Sequence, residues 1–146
     1  LKSSLEKRIS EEFKFLEKLK ITTQSSYDFL RINLHTNGDY FADFTIRELG
    51  DGSGVVLFGD TQLHYKYHNK GYGVKLHRIK LLSVKESCTT YADYPVMLMA
   101  ISNILNKPQN KIFKYFGWNC YKINKKQFSW FLNLTETEIK KIKKTV

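Results

Sequence analysis

Apolar side chains recur along this chain with two different periods, and the changes of period mark its elements. Leu5, Ile9, Phe13 or Leu16, and Leu19 fall on one side of a helix with Glu and Lys opposite. Ser3-Ser4-Leu5-Glu6 has the form of a capping box, so a core-covering helix is predicted to run to about Lys20. From Tyr27 the period becomes two. Leu30, Ile32 and Leu34 share a face opposite Tyr27, Phe29 and Arg31. After Asn37-Gly38, a strong hairpin signal, Tyr40, Ala42, Phe44 and Ile46 alternate with Phe41, Asp43, Thr45 and Arg47, which predicts two antiparallel strands. The glycine-rich segment 50–54 reads as a hairpin loop, because no GK[ST] ending or clear helix follows it, and Val55 to about Tyr67 as a third antiparallel strand.

The stretch Thr61 to Leu76 then organises the rest, because the period switches from two to 3.6 across His68-Asn69-Lys70-Gly71-Tyr72-Gly73. A strand that feeds a helix through such a bend aims several amides and the positive end of a helix dipole at one point, which suits a phosphate or pyrophosphate. Gly71 and Gly73 allow positive φ and close approach, and Lys70 adds a mobile charge. The plainer alternative is a tight connection with an exposed lysine. The helix from Tyr72 to about Ser87 turns Leu76, Ile79, Leu82 and Val84 inward and Lys75, Arg78, Lys80 and Lys85 to solvent.

Beyond it, the polar connection 88–94 ends at Pro95. Val96 to Ile101 is apolar on both faces, as a central strand covered on both sides would be. Asn106-Lys107-Pro108 starts a helix closed by Gly117, with Ile112, Phe113 and Phe116 as its apolar side. A short strand at Asn119 to Ile123, a strand at Phe128 to Leu134 and a charged helical tail from Glu136 to Thr145 complete a mixed α/β order, read as one domain over residues 1–146.

Composition narrows the partners only part of the way. The 146 residues, 42% of them hydrophobic, can bury a substantial core without metal or disulfide. No run approaches a membrane span, so the expectation is a cytoplasmic protein with no membrane partner, and Cys88 and Cys120 lack CxxC spacing and read as unlinked thiols. The 24 Lys and Arg against 14 Asp and Glu leave a net charge of +10, a field that attracts anions: coenzyme A, RNA, DNA and an anionic membrane all qualify, so charge alone does not choose. Aromatics interleaved with lysine from Phe113 to Trp130 suit either base stacking or a buried sheet with its covering helix, and burial is the simpler reading. The four histidines form no metal-ligand pattern and no GxSxG elbow is present, so no metal is expected.

His68-Asn69-Lys70-Gly71-Tyr72-Gly73 resembles motif A of the GCN5-related N-acetyltransferases (GNATs), an Arg or Gln followed by two residues, Gly, one residue, and Gly or Ala, with His68 at the Arg/Gln position. Asn106 followed eleven residues later by Gly117-Trp118 is similar to the family's second signature. Across residues 27 to 135 the resemblance implies a GNAT-like fold, a mostly antiparallel sheet splayed between two parallel strands and flanked by helices. At the front the family usually has a strand and two helices, where only one helix is evident here. It implies an N-acetyltransferase using acetyl-CoA as co-substrate, cradled by Leu63, Tyr65, His68, Asn69, Lys70, Gly71, Tyr72, Gly73, Val74 and Asn106. Implied partners are coenzyme A and an unidentified amine acceptor. Open alternatives are a tRNA-acting, toxin-like enzyme or a non-catalytic coenzyme- or nucleic-acid-binding module, and a homodimer is compatible with each.

Acetyl transfer needs a neutral amine, a polarised thioester and a proton for the leaving thiolate. Many family members place a general-acid Tyr four residues before the second-motif Gly; that position is Phe113 here, and Tyr115 lies about 200° further round a helix. Tyr121, Tyr94 or a water is left for the role. Val55 to Phe58 carries no acid, so Asp60 and His64, on one face by parity, are the candidate bases.

Overall fold

This computed structural model describes residues 4–26, 29–48, 55–87 and 96–144. Ser3, Tyr27, the 50–54 turn, Cys88 and Tyr94 lie outside the described residues. The described elements are α1 (Ser4–Glu12), β1 (Lys20–Ser26), β2 (Phe29–Thr36), β3 (Asp39–Glu48), β4 (Val55–Leu57), β5 (Thr61–Leu63), α2 (Tyr72–Ser87), β6 (Val96–Asn103), α3 (Lys107–Tyr115), β7 (Asn119–Lys122), β8 (Gln127–Leu134) and α4 (Glu136–Lys144). One sheet runs β1-β2-β3-β4-β6-β8-β7, with β5 paired to β3. Every described pairing is antiparallel except β4 with β6.

The front of the chain departs from the pattern reading. The helix ends at Glu12, not near Lys20, although Leu5, Ile9 and Phe13 are buried as its stripe requires. The Glu17 carbonyl is the anchor of the reversal: it accepts from Thr36 Oγ1 at 2.6 Å and from the Asn37 amide at 3.2 Å, and Lys18 takes φ 50°. The chain then enters β1, which pairs along β2 from Lys20↔His35 to Ser26↔Phe29. This first strand follows the helix and was missing from the predicted order. The β2–β3 hairpin is as expected, with Asn37 at φ 52° and Gly38 at φ 83°, the two positive values that this turn demands.

Helix α2 is buried on more than the expected stripe, because α1, α3, α4 and β3 all pack on it. Leu76, Ile79, Leu81 and Val84 are buried, but so are His77 and Lys80, and Leu82 is only partly covered. The assignment of Lys80 to solvent is therefore wrong. Arg78 is not free in water either: it is half-buried in an ion pair with the buried Glu12 of α1, which Lys75 also approaches at 3.7 Å.

Strand β6 is central, between β4 and β8, yet only one of its faces is covered. Val96, Leu98 and Ala100 are buried against the helices, whereas Met97 and Ile101 are 37% and 57% exposed. The expectation of cover on both sides fails because the described helices pack on a single side of the sheet. Trp130 and Phe113 centre one half of that core, and Phe41, Phe44 and Ile9 the other.

Candidate active site

The third strand does not run unbroken to Tyr67. It pairs with β6 through Val55↔Met97, Val56↔Leu98 and Leu57↔Met99, and its last bond across is the Phe58 amide to Met99 O at 2.8 Å. At residues 58–60 the strand breaks, and β5 resumes beside β3 alone. Gly59 lies so close to β3 that an added Cβ would stand 2.5 Å from Thr45 Oγ1. The bonds Thr45 N to Asp60 O and His64 N to Phe41 O place residues 60, 62 and 64 as the hydrogen-bonded partners of β3. By alternation the main-chain groups of Thr61 and Leu63 face the other way, into a gap toward β6.

Two cavities occupy that gap. An inner one of about 190 Å³ at the vertex is lined by Phe58, Gly59, Asp60, Lys80, Ser102 and Phe113 among others. An outer one of about 520 Å³ reaches Leu63, His68, Gly71, Gly73, Val74 and Ile112. Thr61 and Asn106 border both. Asn106 caps α3, its Oδ1 accepting from the Gln109 amide at 3.4 Å, which leaves its amide nitrogen at the junction.

The outer cavity ends at the bend. Residues 65–67 form one 3-10 turn, Asn69 and Gly71 take φ 62° and 80°, and α2 begins at Tyr72. A Cβ on Gly71 would meet nothing within 4 Å, so glycine serves the backbone angle there and the space outside it is open. Gly73 instead allows contact between helices, since its Cβ would be 2.9 Å from Ile112 Cδ1. Among the described residues, no acceptor outside α2 receives the amides of residues 69–74. Lys70 is exposed beside them. The Tyr72 ring packs against Phe15 and Phe41 at 5.1 and 5.9 Å. Tyr65 lies beyond the strand, 78% exposed and stacked on His64, so it offers no strand edge; Thr61 takes that place with Leu63. His68 turns back, its Nε2 2.8 Å from Leu63 O.

Of the three candidate catalytic side chains, Asp60 lines the gap. His64 stacks on Tyr65 at 4.5 Å and accepts the Lys66 amide on Nδ1 at 3.2 Å, and it borders neither cavity. Tyr121 is exposed on β7 against Phe131, also outside both. Phe113 is buried, stacked on Trp130 at 5.0 Å, and forms a wall of the inner cavity; Tyr115 points to solvent. Among the described residues no three His, Cys, Asp or Glu side chains are grouped to hold a metal ion, and no helix is long and apolar enough to cross a membrane.

The residue that pattern reading missed is Lys80. Its Nζ donates to Gly59 O and to Thr61 Oγ1 at 2.9 Å, and lies over the Phe58 ring at 4.2 Å from the centroid. With 1% of its surface exposed, burial lowers its pKa to about 7, against the opposing pull of the Asp60 and Asp43 carboxylates. A signal was present: Lys80 stands four residues from both Leu76 and Val84 and so shares their stripe. Its neighbour His77 is held neutral, its pKa well below the usual value because of burial first and the Lys80 charge second, and its Nε2 accepts from Trp118 Nε1 at 3.1 Å.

No protein-family model matches the chain, and no curated protein matches it by sequence. Solved structures do match. The GNAT domain of S. lividans PAT aligns at a TM-score of 0.61 and 12% identity over 76% of this chain, which spans 64% of that domain's length. A GNAT family acetyltransferase from Elizabethkingia anophelis, with acetyl-CoA bound, aligns at 0.61 and 11% identity over 80% of this chain and 98% of its own. An acetyltransferase of Bacillus subtilis in complex with CoA aligns at 0.58 and 9% identity over 80% and 99%.

Proposed function

We propose that this chain, which has the GNAT fold, binds acetyl-CoA in the gap between β5 and β6 and transfers the acetyl group to an amine. One observation carries the reading: a strand edge unpaired with any other strand, the Thr61 and Leu63 main chain, leads directly to a bend whose amides at residues 69–74 have, among the described residues, no acceptor outside their own helix. The acetyl-CoA and CoA held by two proteins of the same fold support it.

The residues present fit such a ligand. The amides of 69–74 and the start of α2 would hold the diphosphate by main-chain donation, with Lys70 adding charge. Thr61 and Leu63 would pair with the amides of the pantetheine arm as a neighbouring strand does, and the Asn106 amide would donate to it. Because His68 occupies Leu63 O, the Leu63 N–H is the group left for pairing. Bound acetyl-CoA supplies a thioester carbonyl open to attack by an amine. Asp60, the acidic residue among those lining the inner cavity, would take the acceptor's proton.

A second reading, a binding module that keeps the cleft without transfer, is favoured by Phe113, which puts a ring without a hydroxyl where many GNATs have a general-acid tyrosine. The positive charge suits an anionic acceptor such as aminoacyl-tRNA. Calorimetry with acetyl-CoA on the wild type, Gly71→Ala and Gly71→Glu tests the site. Any side chain at φ 80° costs about 1–2 kcal/mol of stability, so the alanine variant controls for strain. Gly71→Glu should abolish binding through its carboxylate while Gly71→Ala retains it. No wild-type binding at millimolar ligand, or equal affinity in the two variants, overturns the site. Coenzyme binding without thiol release over a panel of amines favours the module, and salt-dependent RNA binding with loss of charged tRNA favours the tRNA-acting enzyme.

A further inference from the structure

Resting on the coenzyme reading above, we propose that Lys80 delivers the proton to the coenzyme sulfur, in the cavity whose Phe113 wall has none to give. The geometry assigns the role. The gap narrows to its vertex at the Phe58–Met99 bond, so an arm that enters from the bend and follows β5 brings its thioester end into the inner cavity, where Lys80 and Phe113 are both walls. Gly59 O and Thr61 Oγ1 engage two of the three Nζ hydrogens. The third goes to Asp60 O at 3.4 Å, the longest and weakest of the three bonds, so it is the hydrogen for which a sulfur in the cavity would compete.

Burial lets the proton leave against the pull of the charged surroundings. Asp60, before β5, and Asp43, on β3, face Lys80 with carboxylates, and His77 on α2 itself is neutral. From β6 and α3 the inner cavity receives no charged group: Ile101, Ser102, Asn103, Gln109 and Phe113 line it, with Asn106 between them. A lysine lowered to about 7 is half protonated at neutral pH, and transfer from it to a thiolate of ordinary basicity is downhill. As the acceptor nitrogen bonds to the acetyl carbon, the C–S bond breaks and its electron pair goes to sulfur. The Nζ proton follows to make the thiol, the acceptor nitrogen loses its proton to Asp60, and water returns a proton from there to Nζ. A lysine that only clamps the strand break would hold Gly59 O and Thr61 Oγ1 equally well, but would not respond to sulfur.

That difference is measurable without knowing the acceptor. The Lys80 side-chain carbon next to Nζ, assigned by comparison with Lys80→Arg, is titrated by NMR in the full chain saturated with CoA and, separately, with desulfo-CoA. Contact with the sulfur predicts titration midpoints that differ by about one pH unit between the two ligands. Binding of both ligands with coincident midpoints overturns this inference alone. Failure of CoA to bind overturns the coenzyme reading and this inference with it.

Discussion

Lys80 is a buried cation at the inner cavity, and its burial costs the fold stability at neutral pH. Its folded pKa of about 7 lies below the unfolded value near 10.5, so between those limits the unfolded chain holds more protons and stability rises with pH. The wild type should therefore gain a few kcal/mol between pH 7 and 9.5 in urea unfolding, relative to a Lys80→Met variant in which the rise flattens. The window stops short of pH 10 because Tyr40, raised by burial and its bond to Asp43, stays protonated in the fold and destabilises it there. An identical pH slope in both proteins would mean that Lys80 is charged at no cost. In the sequence the residue was half legible: its i±4 relation to Leu76 and Val84 puts it on the buried stripe, while lysine chemistry argues for water. The carbonyl of Gly59, some twenty residues upstream, decides between them.

Among the elements, the break between β4 and β5 creates the gap, and Gly59 makes the break possible. Its Cβ-less backbone sits against Thr45, so Gly59→Ala must push β5 or β3 aside. That substitution should cost about 1–3 kcal/mol in urea unfolding and weaken acetyl-CoA binding as well. Lost stability with unchanged affinity would separate the break from the site. The break itself was invisible to pattern reading, because Thr61 and Leu63 continue the alternation past it. Strand β1 was missed for a related reason: as an edge strand its residues are mostly exposed, so Ile21-Thr22-Thr23 shows no period, while Leu16 and Leu19 extend the helical stripe beyond the true end of α1. The Asn37-Gly38 turn and the Asn106-Lys107-Pro108 helix start were readable because each rests on conformations of neighbouring residues.

For the molecule as a whole, charge and architecture act together. A net +10 surrounds a cleft whose proposed ligand is a polyanion, so acetyl-CoA affinity should weaken severalfold from 50 to 500 mM NaCl. Affinity independent of salt would place the binding energy in the arm and main chain alone. All described helices lie on one side of the sheet, which leaves Met97 and Ile101 of β6 exposed on the other. Local order along the chain, the Asn37-Gly38 hairpin turn, the bend at Gly71 and the helix start at Asn106 were determined by sequence alone, because each depends on the torsions and spacing of residues a few positions apart. Which lysine is buried, where the third strand leaves its neighbour, and which side of β6 meets solvent were decided only by tertiary structure. Each of those depends on contact between segments distant in sequence, where desolvation and packing override the preference of any single residue.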